Sequence, residues 1–497
     1  MKNIFKKILI KLMPPSRVWG FLLLLMGCDS YLGGDVNIDP SRTTESNISL
    51  PGLLSTTIFY TSDSHYGASS IANRFIQQIA DVITDGVDVQ REQSIPGVWT
   101  NIYLNTIPNL NVMIKKAQAE NQPFYTGTAK ILMATNLGLA TNMWENVPYS
   151  QADKGTEGTF RPSYDTQEQV FRNIQTLLDE GIAALTPIAT QTTARPDDMA
   201  YNGNVARWIR LAWTLKARYA LQLSRKGAPA AATAALAALA NGMQANADDF
   251  QLIYTGRNFN PWHSNVALAN NTGNLSITHG AYLINQMNGS SGGALDPRLP
   301  LIAARPATAT TWVGVTAGRG TGSGSNVSFN VNTWQSTQTA PIQLCTFAEA
   351  KFIEAEARFI SNGGTTTSRG TVAAAYAAWQ DGIRANATKI GVSATDANAF
   401  VNNALLNVGA ANLTLANIMS QKYVALFLQP EVWTDMRRYG YDTNVYRNLA
   451  LPENLTPDLQ GRWIQRMSYP SSENSRNTEV ARANFKAIGV PMWMFSN

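Results

Sequence analysis

The chain has 497 residues, 39 basic and 34 acidic side chains, a formal net charge of +5 and 44% hydrophobic residues. That is enough apolar material for a large core, and by length alone it allows two or three domains. The positive balance would suggest an anionic partner, but Lys2, Lys6, Lys7, Lys11 and Arg17 all lie in the first 27 positions; the remainder is balanced at 34 against 34, so nucleic acid is not expected as a partner.

The basic start runs into the apolar stretch Val18 to Met26. This is shorter than the roughly 20 residues that span a hydrocarbon core, and it has the layout of a secretory signal. It ends in Leu25-Met26-Gly27-Cys28, where a small residue before cysteine reads as a lipoprotein cleavage site. Residues 1–27 are expected to be removed, and the Cys28 thiol is expected to carry the lipid. A polar stretch over 28–50 then acts as a tether. Cys345, the second of two cysteines, has no partner left and sits in an apolar run, so it reads as a buried small hydrophobe.

Beyond residue 50 the dominant signal is helical periodicity. Ile71, Phe75, Ile79 and Val82 share one spacing, as do Leu110, Met113, Ile114 and Ala117, and then Leu132 through Met143. Asp165 with Glu168 predicts a capping box opening a helix that Pro187 closes, and Asn204 predicts the cap of a helix carrying Trp208, Leu211, Leu215 and Tyr219. An alanine-rich helix over 228–240 stops at Gly242. From 255 to 342 the chain is rich in Gly, Asn, Ser and Thr, with one short helical pattern near 276–288. Helices resume at Thr346, over 370–390 and over 412–428, and the last segment, 441–497, is mostly irregular. The pairing of 15–20-residue helices predicts a mainly α fold of helical hairpins. Residues 51–254 and 343–440 form its scaffold, and 255–342 form a loop-rich ligand-binding insertion.

Enzyme signatures are sparse. His65, His263 and His279 are far apart in sequence and make no zinc pattern. Gly289 to Gly293 matches G-x-S-x-G but lacks the strand–turn–helix setting that motif requires. Asp81, Asp85 and Asp88 lack EF-hand spacing and read as a solvated helix end. No cofactor or metal is expected. Aromatic residues in polar segments stand out instead: Trp99, Tyr66 in an expected loop with Tyr60 and His65, Trp262, Trp312 and Trp334. An exposed ring can stack on a sugar face while amides bond its hydroxyls. The competing role for each Trp is a plug beneath a long loop. Trp144, Trp208, Trp213, Trp379 and Trp433 fall inside helical patterns and read as packing.

Several segments together resemble the SusD/RagB family of outer-membrane nutrient-binding lipoproteins. In chain order they are the Asn37 to Pro40 tether, Asn146 to Ala152 with Arg161 to Asp165, and the helix from Gly203 to Ser224, which has Asn204 where the family usually has Asp. Asp296-Pro297-Arg298-Leu299-Pro300 follows, then Phe347 to Ala350 with Glu354 to Ala357, Gln421 to Phe427, Trp433 to Gly440, and Arg466 to Pro470 with Glu473. The resemblance implies four tetratricopeptide-like hairpins, exposure on the cell exterior, and a SusC-like TonB-dependent transporter as partner. It also implies structural roles for Arg298, Trp433 and Arg437, with ligand held by divergent loops. The expectation is therefore a binder of an oligosaccharide or other oligomeric nutrient rather than a catalyst; a protein-interaction scaffold and a glycan-degrading enzyme are the alternatives.

Overall fold

The computed structural model describes residues 48–83, 86–290 and 293–496. The leader, Cys28 and nearly all of the tether lie outside the described residues, as do Asp85 and part of the G-x-S-x-G match. Among the described residues no helix is long and apolar enough to cross a membrane.

The first helix, α1 (Leu50–Phe75), contains the segment expected to be a loop around Tyr60, His65 and Tyr66. The polar composition misled because the hydroxyls are satisfied within the helix: Thr57 and Thr61 are buried and donate to the carbonyls of Leu53 and Thr57, four residues back. The apolar spacing also overshot the helix end, since Ile79 and Val82 lie beyond Phe75 and Ile79–Asp81 forms a strand, β1. Next come Pro96–Thr100, a π-helical segment at Asn101–Thr106 and α2 (Ile107–Ala119), then α3 (Pro123–Trp144). Nearly every side chain of α3 is buried, so it is the central helix.

The capping box of α4 (Gln167–Leu185) is formed by Thr166 and Gln169, one residue later than the sequence suggests. Asp165 is unavailable because its Oδ2 accepts from the amides of Tyr149 and Ser150. Asn204 caps α5 (Val205–Gln222) as expected, accepting from Arg207 N. The alanine-rich α6 (Ala228–Leu239) presents Ala232, Ala235 and Ala238 to Ala217 and Leu221 of α5 and to Ile353 and Ala357 of α8 (Phe347–Ser361), α7 being Ala281–Met287 of the insertion. α9 (Ala373–Lys389), α10 (Leu415–Ala425) and α11 (Glu431–Arg438) complete the scaffold. Each long helix from α2 to α6 packs on its chain neighbour, and α6 then packs directly on α8. The stack thus continues across the insertion, as a tetratricopeptide-like array requires.

The excursion between α6 and α8 closes at its base. β2 (Phe250–Ile253) pairs antiparallel with β4 (Pro341–Cys345), Phe250 opposite Cys345 and Ile253 opposite Pro341. β3 (Ile277–His279) pairs with β1, tying the insertion to the end of α1. Cys345 is fully buried, as its apolar run suggested, and burial pushes its thiol pKa up.

A buried ionic hub joins the two halves of the scaffold. Arg218 of α5 donates to both carboxylate oxygens of Glu349 on α8 (2.6 and 2.5 Å), to Glu431 on α11 (3.2 Å) and to the Leu344 carbonyl of β4 (2.7 Å). Nearby, Glu356 receives Arg438 (2.5 Å) and Lys422 (3.4 Å), and Asp435 receives both Lys422 and Arg438. Burial opposes the Glu356 charge, but Arg438 and Lys422 outweigh it and hold the carboxyl at about 2. Arg218→Ala strands two buried carboxylates, and its expected cost is roughly 3–5 kcal/mol. Urea unfolding measures this, and Arg218→Lys, which keeps the charge but not the bidentate geometry, should fall between the two.

Candidate binding face

The expected site residues divide into separate places. Tyr66 and Trp262 meet, with ring centroids 5.0 Å apart and planes at 82°. Trp99 lies in another cluster with Tyr103, Trp144, Tyr164 and Tyr469 and is 5% exposed. Trp312 is half-buried under Arg305, whose guanidinium carbon is 4.8 Å from the ring centroid. Trp334 is half-buried where it lines a small void over Arg298, which bonds Asp296, Asn386 and Gln421. Of the helical tryptophans, Trp144, Trp208, Trp379 and Trp433 are buried and Trp213 packs against the alanine cluster, as the packing role requires.

The meeting of Tyr66 and Trp262 has a local cause. Asn260 is fully buried; its Oδ1 accepts from Trp262 N (2.7 Å) and His263 N (3.3 Å), and its Nδ2 donates to Ala340 O (2.9 Å). This clamp starts a π-helical turn, His263–Ala267, that points Trp262 inward at 2% exposure and turns Asn265 outward. Behind Trp262 a row of rings continues inward: Trp262 to Phe329 at 5.6 Å, Phe329 to His279 at 5.2 Å and His279 to Phe427 at 5.6 Å. Tyr66 is the outer end of this row.

Around Tyr66 the surface carries amides and one carboxylate, Asp63. Asn265 Nδ2 donates to Tyr66 Oη (2.9 Å). On the other side, Asn101 Nδ2 donates to Asp63 Oδ2 (2.7 Å) and Asn105 Nδ2 to Asn101 Oδ1 (3.2 Å). Gly67 permits the approach of these elements: a Cβ there would sit 2.6 Å from Val98 Cγ2. Leu104, 68% exposed, and Leu268, 42% exposed, lie three residues beyond Asn101 and Asn265 and add apolar surface. Burial pushes the Tyr66 hydroxyl pKa up, with the Asn265 bond opposing, so the ring stays neutral. Asn101, Asn105, Asn265 and Asp63 were not picked out by sequence. Their common signal is that both asparagine-bearing segments are π-helical, a distortion frequent at functional sites that composition does not disclose.

Of the aspartates expected at a solvated helix end, Asp81, in β1, and Asp88 are buried instead. Asp88 Oδ2 accepts from Asp81 N (3.3 Å) and from Gly318 N (2.8 Å), and burial, with Asp81 adding to it, pushes the Asp88 pKa to about 6. Among the described residues no group of His, Cys, Asp and Glu is arranged to hold a metal ion.

A stacked array of helical hairpins with one loop-built insertion presenting rings and amides defines a scaffold-borne binding protein. The chain belongs to the SusD-like family described as starch-binding and associating with the outer membrane, whose model matches residues 40–470. Similar solved structures include a SusD homologue from Bacteroides uniformis (21% identity, TM-score 0.73, 90% of this chain and 99% of that one). Others are a SusD/RagB family protein from Bacteroides thetaiotaomicron (21%, 0.73, 90% and 99%) and a chitin-binding SusD homologue from Flavobacterium johnsoniae (20%, 0.71, 90% and 99%). No curated protein sequence matched.

His279, stacked between Phe329 and Phe427, is pushed by burial down to about 4. A lowered imidazole pKa means the unfolded chain binds the proton more tightly, so its contribution to stability is present above about 6.5 and is lost as pH falls toward 4. His279→Phe should remove on the order of 3 kcal/mol of acid destabilisation over that window, read as a flatter dependence of Tm on pH than in the parent.

Proposed function

We propose that the mature protein is anchored to the outer membrane through lipid on Cys28, faces the cell exterior, and binds a neutral oligosaccharide that it passes to a SusC-like TonB-dependent transporter without chemically altering it. The observation that carries this reading is the Tyr66 face. A neutral ring, held edge-on by a buried Trp262, accepts from the Asn265 amide, and Asp63, three residues before it on α1, accepts from Asn101, which in turn accepts from Asn105. Stacked rings with amide donors suit the alternating apolar and hydroxyl surfaces of a sugar. Family membership and the chitin-binding relative support a glycan as the class of ligand. The carboxylate of the face, Asp63, is engaged by Asn101; hydrolysis by a carboxylate pair would need a second one at roughly 5–10 Å.

Calorimetric titration with neutral oligosaccharides tests the ligand. Tyr66→Ala is expected to lose roughly 1–3 kcal/mol of affinity, in line with aromatic anchors elsewhere, and Tyr66→Phe much less. Binding to peptides and to no glycan would overturn the ligand class. Cys28→Ala should move the protein from the membrane fraction to the soluble one, and a variant that stays membrane-bound would overturn the anchor.

A further inference from the structure

A cavity of about 400 Å³ opens beside the far end of α1, and none of the rings that sequence singles out lines it. Its wall draws on Gln77 just after α1, on α7 and Ser290 beyond it, on Thr316 and Ala317, and on the Asn448–Pro452 segment. That volume lies in the range of small-molecule sites, about 300–1,000 Å³.

The lining is chemically selective. Gln77, Tyr282, Asn285, Gln286, Thr316 and Asn448 provide amides and hydroxyls, Leu451 and Pro452 provide apolar surface, and among the described residues no charged side chain lines it. Several of these groups are unengaged within the described residues. Tyr282 Oη, the Gln286 amide and the Asn448 amide make no hydrogen bond there, although Tyr282 is only 8% exposed. Burial alone pushes the Tyr282 hydroxyl pKa up, so it is a neutral donor. The frame is fixed: Gln77 and Asn448 both take left-handed backbone conformations (φ 61° and 62°), and Gln77 Nε2 donates to Ala450 O at 2.7 Å. Such conformations persist in non-glycine residues when the surroundings hold them.

We infer that this cavity is a second saccharide site, taking the end of a neutral sugar chain through the Asn285, Gln286 and Tyr282 groups. An ionised ligand would be left without a counter-charge, whereas sugar hydroxyls can exchange water for these donors and acceptors. The site is separate from the Tyr66 face: nine residues of helix, about 14 Å, lie between Tyr66 and the end of α1 that Gln77 follows. The inference rests on the glycan-binding reading and adds to it a site specialised for chain ends.

The test uses the purified full-length protein in detergent. It is titrated with the neutral di- and hexasaccharides of starch and of chitin, and with a uronic-acid oligosaccharide. Asn285→Ala/Gln286→Ala is expected to weaken disaccharide binding at the cavity about ten-fold, the loss expected for two neutral hydrogen bonds, and, combined with Tyr66→Ala, to weaken it further than either change alone. Ala450→Trp, which fills the cavity from an exposed position, should act like the double variant with the melting temperature preserved. Disaccharide binding indifferent to both cavity variants, or tighter binding of the uronic-acid oligosaccharide, overturns the second site and leaves the Tyr66 reading standing. A parent protein that binds no saccharide overturns both.

Discussion

The structure depends on a charge kept out of water. Arg218 is 3% exposed and sits where α5, α8, α11 and β4 converge, so three stretches of chain far apart in sequence are registered by one guanidinium. A buried ion pair adds little net stability against apolar alternatives, because desolvation cancels most of the attraction. Its effect is geometric: any slip of α5 against α8 would leave Glu349 or Glu431 unpaired, at a cost of several kcal/mol. His65 of α1 reaches the same Glu431 at 3.5 Å, which draws the first helix into the constraint. Lys422, Asp435, Arg438 and Glu356 repeat the device one layer away.

This hub explains what the family motifs are for. Arg218, Glu349, Glu356, Lys422, Asp435 and Arg438 all come from segments that resemble the family, and all are buried. Arg437 belongs with them, donating to Gln465 O and Asn142 O and lying 3.7 Å from the Trp433 ring centroid. Desolvation pushes its pKa down to about 9, still above physiological pH. Residues of this kind lie buried between helices and specify how they stack, so family membership identifies the scaffold and is silent about the particular ligand.

The helices were legible because most obey the 3.6-residue period and several begin at capping residues, Asn204 and Thr346 among them. The failures share a cause. α1 reads as polar because its buried hydroxyls are satisfied by their own helix, and Asp165 reads as a cap because sequence does not show that Tyr149 and Ser150 already occupy its carboxylate. The face was half legible. Tyr66 and Trp262 were chosen as aromatics in polar surroundings, but whether a ring faces solvent is set by tertiary contacts: Asn260 turns Trp262 inward, and Trp99 joins four other rings. Asn101, Asn105 and Asn265 had no signal, since asparagine is common throughout this chain and the π-helical turns that aim these three arise from packing.

Rigid support beneath a variable surface has an energetic consequence for binding. The insertion is held at three places: the β2–β4 pair at its base, the β1–β3 pair at the end of α1, and the row of rings from Tyr66 to Phe427. Loops anchored in this way lose little further entropy when a ligand arrives, so weak stacking and neutral hydrogen bonds suffice for useful affinity. The surface amides can then change without disturbing the hub, because no member of the Arg218 network contacts the asparagines around Tyr66. A scaffold locked by buried charge leaves the outer face without a part in holding the helices together.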